Sequence, residues 1–384
     1  MNDMVKFVRA LILSRLSREQ HAPYGVTATD ERALADATTV QLGKMCAALT
    51  SPPADKPLTF SRVPVWIALA ACVAASTASA QQTYPDRNVT IVAPAAPGGL
   101  YTIFARLIGN KLEQSLGKPF VIVNRPGASS TIGALSVIRS APDGYTLMVA
   151  NNTGMATNVS LFKNLSYDPI ADLAPIALIA RIPEVLVVNS ALPVQSLADL
   201  VKLAKSTRGG LNFGSAGTGT PQHLSGEFLK GQLGIEMTHV PYNGLALAMN
   251  DVASGHTQLM FAPVPTATAM IQAGKVRPLG VTSTRRLDAL PDVPPLAEVG
   301  VKDFDSTTAW FMLVAPAKTP KAIIDKLHAE LRSITEDPAT RQEFIRLGLI
   351  PVSSPSPDEL KSFMQSEIVR WGDLVRKAGL AGSE

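Results

Sequence analysis

The 384-residue chain has only 2 cysteines, Cys46 and Cys72, and neither lies beyond residue 80. The remainder therefore has no thiol, which excludes a disulfide framework, a thiolate metal centre and a cysteine nucleophile. Charge of one sign is also lacking. Residues 1–80 hold 8 of the 35 basic and 6 of the 31 acidic residues, leaving 27 against 25. Such a near-neutral remainder gives no electrostatic footprint for nucleic acid. No long apolar run follows Gln82, so a soluble product is expected. His223 and Glu227 stand four apart, on one helical face, but no third metal ligand has suitable spacing. Gly214 to Gly219 lacks both the dinucleotide-binding glycine spacing and the lysine of a phosphate loop, and Ser215 sits in no nucleophile elbow. The expectation is no catalytic residue, no metal and no cofactor.

Upstream, Arg62 to Ala80 (RVPVWIALAACVAASTASA) has a positive residue, an apolar run from Val63 to Ala75 and a small-residue end. This is the layout of a secretory signal peptide, spanning 58–80 with cleavage after Ala80, and its run is too short to cross a bilayer. Leu69-Ala70-Ala71-Cys72 offers an alternative, a lipoprotein cleavage box with a lipidated Cys72. The 57 residues before Leu58 suggest a start placed too early, with translation beginning near Leu58 or Met45. The alternative is a true extension whose Val5, Val8, Leu11, Ile12 and Leu16 share a face, as in a membrane-surface helix. Residues 1–80 are set apart from the fold in either case.

What is present is organised around Val89 to Arg106 (VTIVAPAAPGGLYTIFAR). Val89–Ala93 suits a buried strand, Pro94 and Pro97 stop it, Gly98-Gly99 lets the backbone turn, and an amphipathic helix begins. Free N–H groups and the positive end of the helix dipole converge there and favour a small anion, each contact contributing roughly 0.3–2 kcal/mol. The same pattern returns at Leu211–Thr220, where a short strand runs into Ser215-Ala216-Gly217-Thr218-Gly219-Thr220 and Pro221 takes the first helical position. Between them, strands at 120–124 and 145–150 alternate with a helix from Thr131, and Asn151-Asn152-Thr153-Gly154 reads as a polar loop. Two strand-like runs split at Pro183, and another near Thr308–Ala315, read as crossings between domains. This alternation predicts an α/β fold with largely parallel sheets and ligands at the C-terminal strand ends.

Dispersed motifs follow in order: PAAPGG at 94–99, NRPG at 124–127, APDGYTL at 141–147, Tyr167-Asp168-Pro169, LNFGSAGTGT at 211–220, HVPY at 239–242, LPDVP at 290–294 and WFMLVAPAKTP at 310–320. With them the chain resembles, over essentially all of residues 84–372, the Bug family of periplasmic solute-binding proteins, receptors of tripartite tricarboxylate transporters. The resemblance implies a two-domain periplasmic-binding-protein fold of type II-like form, with two sheets flanked by helices and joined by crossing strands. Domain 1 would comprise 81–182 and 305–384 and domain 2 residues 183–304, with the ligand cleft between them. It further implies a monomeric periplasmic receptor that captures a small carboxylate and delivers it to a membrane permease. Ala95, Ala96, Gly98, Gly99, Thr102, Asn151, Ser215, Thr218, Thr220, His223, Tyr242 and Ala262 would line the site. The sequence departs from the family where Thr102 and Ala262 replace acidic residues and Asn243 a lysine. That predicts a neutral pocket suited to an acid without an ammonium group, with hydroxyls of Ser215, Thr218, Thr220 and Tyr242 carrying part of the recognition. Two other functions fit the same sequence: an accessory to a membrane sensor kinase, and a hydrolase using Ser215 and His223.

Overall fold

The structure, a computed structural model, describes residues 84–384. The signal peptide, the cut after Ala80 and the lipoprotein site at Cys72 lie outside the described residues. In chain order the strands and helices are β1 (Val89–Ala93), α1 (Leu100–Leu116), β2 (Phe120–Asn124), α2 (Thr131–Ile138), β3 (Thr146–Asn151), α3 (Asn158–Leu161) and β4 (Leu173–Ile182). Then come β5 (Glu184–Asn189), α4 (Leu197–Ser206), β6 (Leu211–Ser215), α5 (Pro221–Leu233), β7 (Met237–Pro241), α6 (Leu245–Ser254), β8 (Leu259–Pro263), α7 (Val264–Gln272) and β9 (Val276–Val281). The chain ends with β10 (Ala309–Pro316), α8 (Lys321–Glu336), α9 (Pro338–Arg346), β11 (Ile350–Pro351) and α10 (Pro357–Lys377).

Two sheets form, in the orders β11-β4-β10-β3-β1-β2 and β7-β6-β8-β5-β9. Each is mixed, which corrects the expectation of largely parallel sheets. β2, β1 and β3 are parallel, as are β7, β6 and β8, but β10 and β5 run antiparallel to their neighbours. The reason is the chain path. β5 follows β4 across Pro183 into the other sheet, and β10 returns after β9, so each starts at the end where the parallel strands finish.

Alternation along each strand fills both faces of its sheet. On β10, Phe311 and Leu313 pack with Phe104, Ile108 and Leu112 of α1, whereas Trp310, Met312 and Val314 pack with Met148 and with Leu360 and Met364 of α10. β-branched and aromatic residues suit such two-sided burial. In the second sheet, Phe213 and Phe261 face Leu200 of α4 and Leu229 of α5, while Met260 and Ala262 face Ala248 of α6 and Ala267 of α7. Helix ends follow local chemistry: Ser356 and Glu359 close a capping box on α10, and Gly117 ends α1 in the left-handed conformation at φ 72°.

The expected polar loop at 151–154 is instead the end of β3 and a helical turn, Thr153–Thr157, that leads into α3. Asn151 Oδ1 accepts the Thr153 N–H at 2.9 Å, and Ala156 packs against Trp371, Leu374 and Val375 of α10. Burial beneath α10 removes water, so the backbone satisfies its polar groups by coiling. Leu224 of α5 joins the same cluster and ties the two sheets' layers together on one side.

Candidate functional site

The loop that follows β6 meets α3, beyond the C-terminal end of β3. Gly219, at φ 70°, stands where a Cβ would fall 2.3 Å from Leu161 Cδ2, so the loop after β6 abuts the helix that follows β3. Only glycine combines that left-handed backbone with so close an approach.

In the first loop Ala96, Gly98 and Gly99 are exposed and Ala95 is half-buried. Ala95 N–H donates to Ala93 O, while Gly99 O accepts from Thr102 N–H and Ile103 N–H. Among the described residues, the N–H groups of Ala96, Gly98 and Gly99 find no intramolecular acceptor. They open the first turn of α1, as anion binding requires. Gly98 adopts φ 82°, the turn that aims them. Thr102 lies beneath, only 2% exposed, and its Oγ1 accepts from Asn124 Nδ2 at 2.7 Å. The same Asn124 amide donates to Ala95 O at 2.8 Å, so Asn124 pins the loop to β2. Sequence reading named the NRPG motif without that role.

The loop between β2 and α2 holds Ala128, Ser129 and Ser130 at φ 45°, 47° and 74°. Three successive non-glycine residues in the left-handed region cost of order 1–3 kcal/mol each, a cost tolerated where surrounding bonds impose it. Asn158 supplies one, its Nδ2 donating to Ser129 O at 2.8 Å. Asn151 spends its side-chain oxygen on Thr153. Its neighbour Asn152, fully buried, has no partner for either side-chain polar atom, and Thr157 Oγ1 and Asn158 Oδ1 are likewise unpaired among the described residues. Buried polar atoms without partners are uncommon and call for water or ligand. Sequence reading placed Asn152 in a polar loop and carried no signal at Thr157 or Asn158, whose burial depends on packing beneath α10.

In the second loop the hydroxyls are largely committed. Ser215 is fully buried, accepts Gly217 N–H at 3.0 Å and stands 2.6 Å from His239 Nε2. Thr220 Oγ1 donates to Gly217 O at 2.7 Å. Tyr242 donates to Asp251 Oδ2 at 2.7 Å, and burial, then that bond, pushes its phenol up. Of the four hydroxyls expected to recognise a carboxylate, only that of half-buried Thr218 has no partner among the described residues. Ala262 also departs from expectation: at 1% exposure it packs with Val185, Val187 and Met260 in the apolar layer under α6 and α7. Strand alternation turns its methyl into that layer.

His223, 3% exposed, accepts the Gly219 N–H on Nδ1 at 3.2 Å, and its Nε2 lies 3.9 Å from Glu227 Oε1. Its ring stacks on His239 with centroids 3.5 Å apart and planes 9° apart. Burial, then the neighbouring His239 and Lys230, lowers His223 to about 3, and burial lowers His239 to about 4. Behind α5, the fully buried Glu184 at the start of β5 accepts from Gln222 Nε2 and from Ser225 Oγ at 2.7 Å. Burial pushes its carboxyl up to about 7 against the two donors. No spacing in the sequence announced either cluster. Among the described residues no group of His, Cys, Asp or Glu could hold a metal, and no helix is long and apolar enough to cross a membrane.

Residues 104–380 match the family described as "Tripartite tricarboxylate transporter family receptor". A UPF0065 protein of the TAR-I ttuE-ttuC' intergenic region of Agrobacterium vitis is 36% identical over 315 residues, covering 82% of this chain and 90% of its own. Rpa4515 of R. palustris, solved with adipate, superposes with a TM-score of 0.74 at 35% identity, covering 78% of this chain and 99% of its own. MatC of Rhodopseudomonas palustris, solved with bound malate, gives 0.69 at 33% identity, covering 76% and 100%.

Proposed function

The chain belongs to the tripartite tricarboxylate transporter receptor family, and on that premise we propose that it is a periplasmic receptor for a small organic carboxylate, which it delivers unchanged to a tripartite membrane permease. The observation that carries the reading is the pair of βα loops that each follow a parallel strand, with unpaired N–H groups of Ala96, Gly98 and Gly99 opening α1 and Thr218 preceding α5. Each helix start stabilises a negative charge by roughly 0.3–2 kcal/mol, and two of them suit an acid with two anionic ends. Adipate and malate, held by two relatives, are both of that kind. The sheet memberships support dividing the chain at Pro183 and again near residue 305, with the ligand between the two parts, and a monomer suffices for such a site.

Transport rather than turnover is the better reading of the Ser215–His239 contact. A hydrolytic triad needs an acid to orient the imidazole, and no carboxylate bonds to His239 among the described residues. His223, the expected base, bonds to Gly219 instead of Ser215.

A thermal-shift screen of residues 81–384 against mono-, di- and tricarboxylates tests the reading. A ligand at 100 times its Kd adds about 2.7 kcal/mol of stability, so a dicarboxylate should raise the melting temperature clearly. If no carboxylate shifts it and a neutral or cationic solute does, the reading fails.

A further inference from the structure

Three of the second loop's potential donors face inward, and two imidazoles receive or hold them. Gly219 N–H points at His223 Nδ1, at 3.2 Å. An N–H donor there requires an unprotonated nitrogen, so the His223 proton sits on Nε2, toward Glu227 Oε1 at 3.9 Å. Were Nδ1 protonated, two N–H groups would oppose each other and the loop would have to move. His239, on β7 beside β6, reaches Ser215 Oγ at 2.6 Å, and Ser215 Oγ in turn accepts Gly217 N–H at 3.0 Å. The two rings lie face to face at 3.5 Å, and Phe213 closes one side with its centroid 5.1 Å from that of His239. Two positive charges at that separation, in a buried layer, would repel strongly.

We propose that His223 and His239 are positioning residues for anion capture: a stacked, uncharged pair that fixes Gly219 and Ser215, and so sets the loop from which Thr218 and the α5 helix start face the ligand. The pair acts through the loop and touches no ligand itself. Of the charged groups on the surrounding elements, Lys230 disfavours a charged His223, whereas Glu227, 3.9 Å from its Nε2, favours one and is shared with Lys230. Glu227 and Lys230 on α5 bond to each other at 3.3 Å, and Lys377 of α10 lines the same groove as Glu227. Glu184 of β5 is engaged by Gln222 and Ser225. Burial is the main cause holding both imidazoles well below their usual range. The inference rests on the receptor reading for its ligand, but its geometry can be tested without one.

Amide side chains distinguish the two ring nitrogens. Asn places an acceptor near the position of Nδ1, and Gln near that of Nε2. His223→Asn should therefore keep the Gly219 bond and H223Q should lose it, whereas His239→Gln should keep the Ser215 contact and H239N should lose it. With adipate and malate as calorimetric probes, H223N and H239Q should bind within about threefold of wild type, and H223Q and H239N roughly tenfold more weakly. Hydrogen exchange of the Gly219 and Gly217 amides in the ligand-free protein should follow the same order. Equal behaviour of the two amides at each position, as expected for simple packing, overturns the proposal, and so does a reversed ranking. If wild type binds neither probe, the receptor reading is what suffers. The exchange order then still supports the pair when Asn and Gln separate as stated, and refutes it when they do not.

Discussion

Replacing Glu184 by Gln tests the electrostatics at the crossing between the two sheets. The carboxyl is fully buried, receives hydrogen bonds from Gln222 and Ser225, and pairs with no cation among the described residues, and burial raises it from 4.5 to about 7. The folded state therefore favours the neutral acid. Below pH 4.5 the group is neutral folded or unfolded and costs nothing. As pH rises from 4.5 through 7 the unfolded chain releases a proton that the folded chain retains, and stability falls. The full loss, present above pH 7, is about 3 kcal/mol for a shift of that size. Gln is nearly isosteric, cannot ionise, and keeps a carbonyl for Ser225, with the Gln222 amide free to turn. E184Q should thus match wild type at pH 4.5 and exceed it at pH 8 by about 3 kcal/mol, or about 5 °C in melting temperature for a unit of this size. Melting curves followed by circular dichroism at both pH values measure the difference. An equal difference at pH 4.5 and 8, or a variant less stable at pH 8 than wild type, refutes the argument and would show that the ionised carboxylate is what Gln222 and Ser225 require.

Gly99→Pro removes one loop N–H donor while Gly99 already has φ −79°, so carboxylate affinity should fall roughly tenfold with the melting temperature nearly unchanged, as calorimetry with paired melts will show. Gly219→Ala should destabilise by about 1–3 kcal/mol, measured by melting, since the new Cβ both occupies a left-handed position and meets Leu161. Glu367, 4% exposed, accepts from Trp310 Nε1 at 2.6 Å, Trp371 Nε1 at 3.0 Å and Arg370 Nε at 2.9 Å, so Glu367→Ala strands these donors and should cost about 3–5 kcal/mol in denaturant unfolding. His223 and His239 have lowered folded values, so the stability they give is complete above pH 6.5 and declines as pH falls from 6.5 toward about 3; replacing both by Leu should flatten that part of the melting profile.

Much of the architecture was legible because local chemistry and tertiary demand agree. VTIVA, FVIVN and WFMLV are strands on sequence and in the sheets, the first and last buried and the second at an edge, and Pro183 divides β4 from β5 where the chain changes sheet. The two βα loops were legible too, since Gly98 and Pro221 mark a turn and a helix start that depend on their own backbone preferences. Contacts across strands were not. His239 is 24 residues from Ser215 and comes beside it only through the β6–β7 register, which aligns Phe213 with His239. Likewise, the Asn124 amide reaches Thr102 and Ala95 only after β2 pairs with β1. The burial of Thr102 and Ala262 was not legible, because departures from a family motif carry no side-chain direction, whereas strand alternation and helix packing set that direction.

The central claim is that the two βα loops hold an acid through its charge. Calorimetric titration of residues 81–384 with adipate, and in parallel with its uncharged dimethyl ester, tests it most directly. The account predicts micromolar binding of the dianion, near −8 kcal/mol, and at least a hundredfold weaker binding of the ester. Equal affinity for the two, or ester binding with none of the dianion, would contradict it.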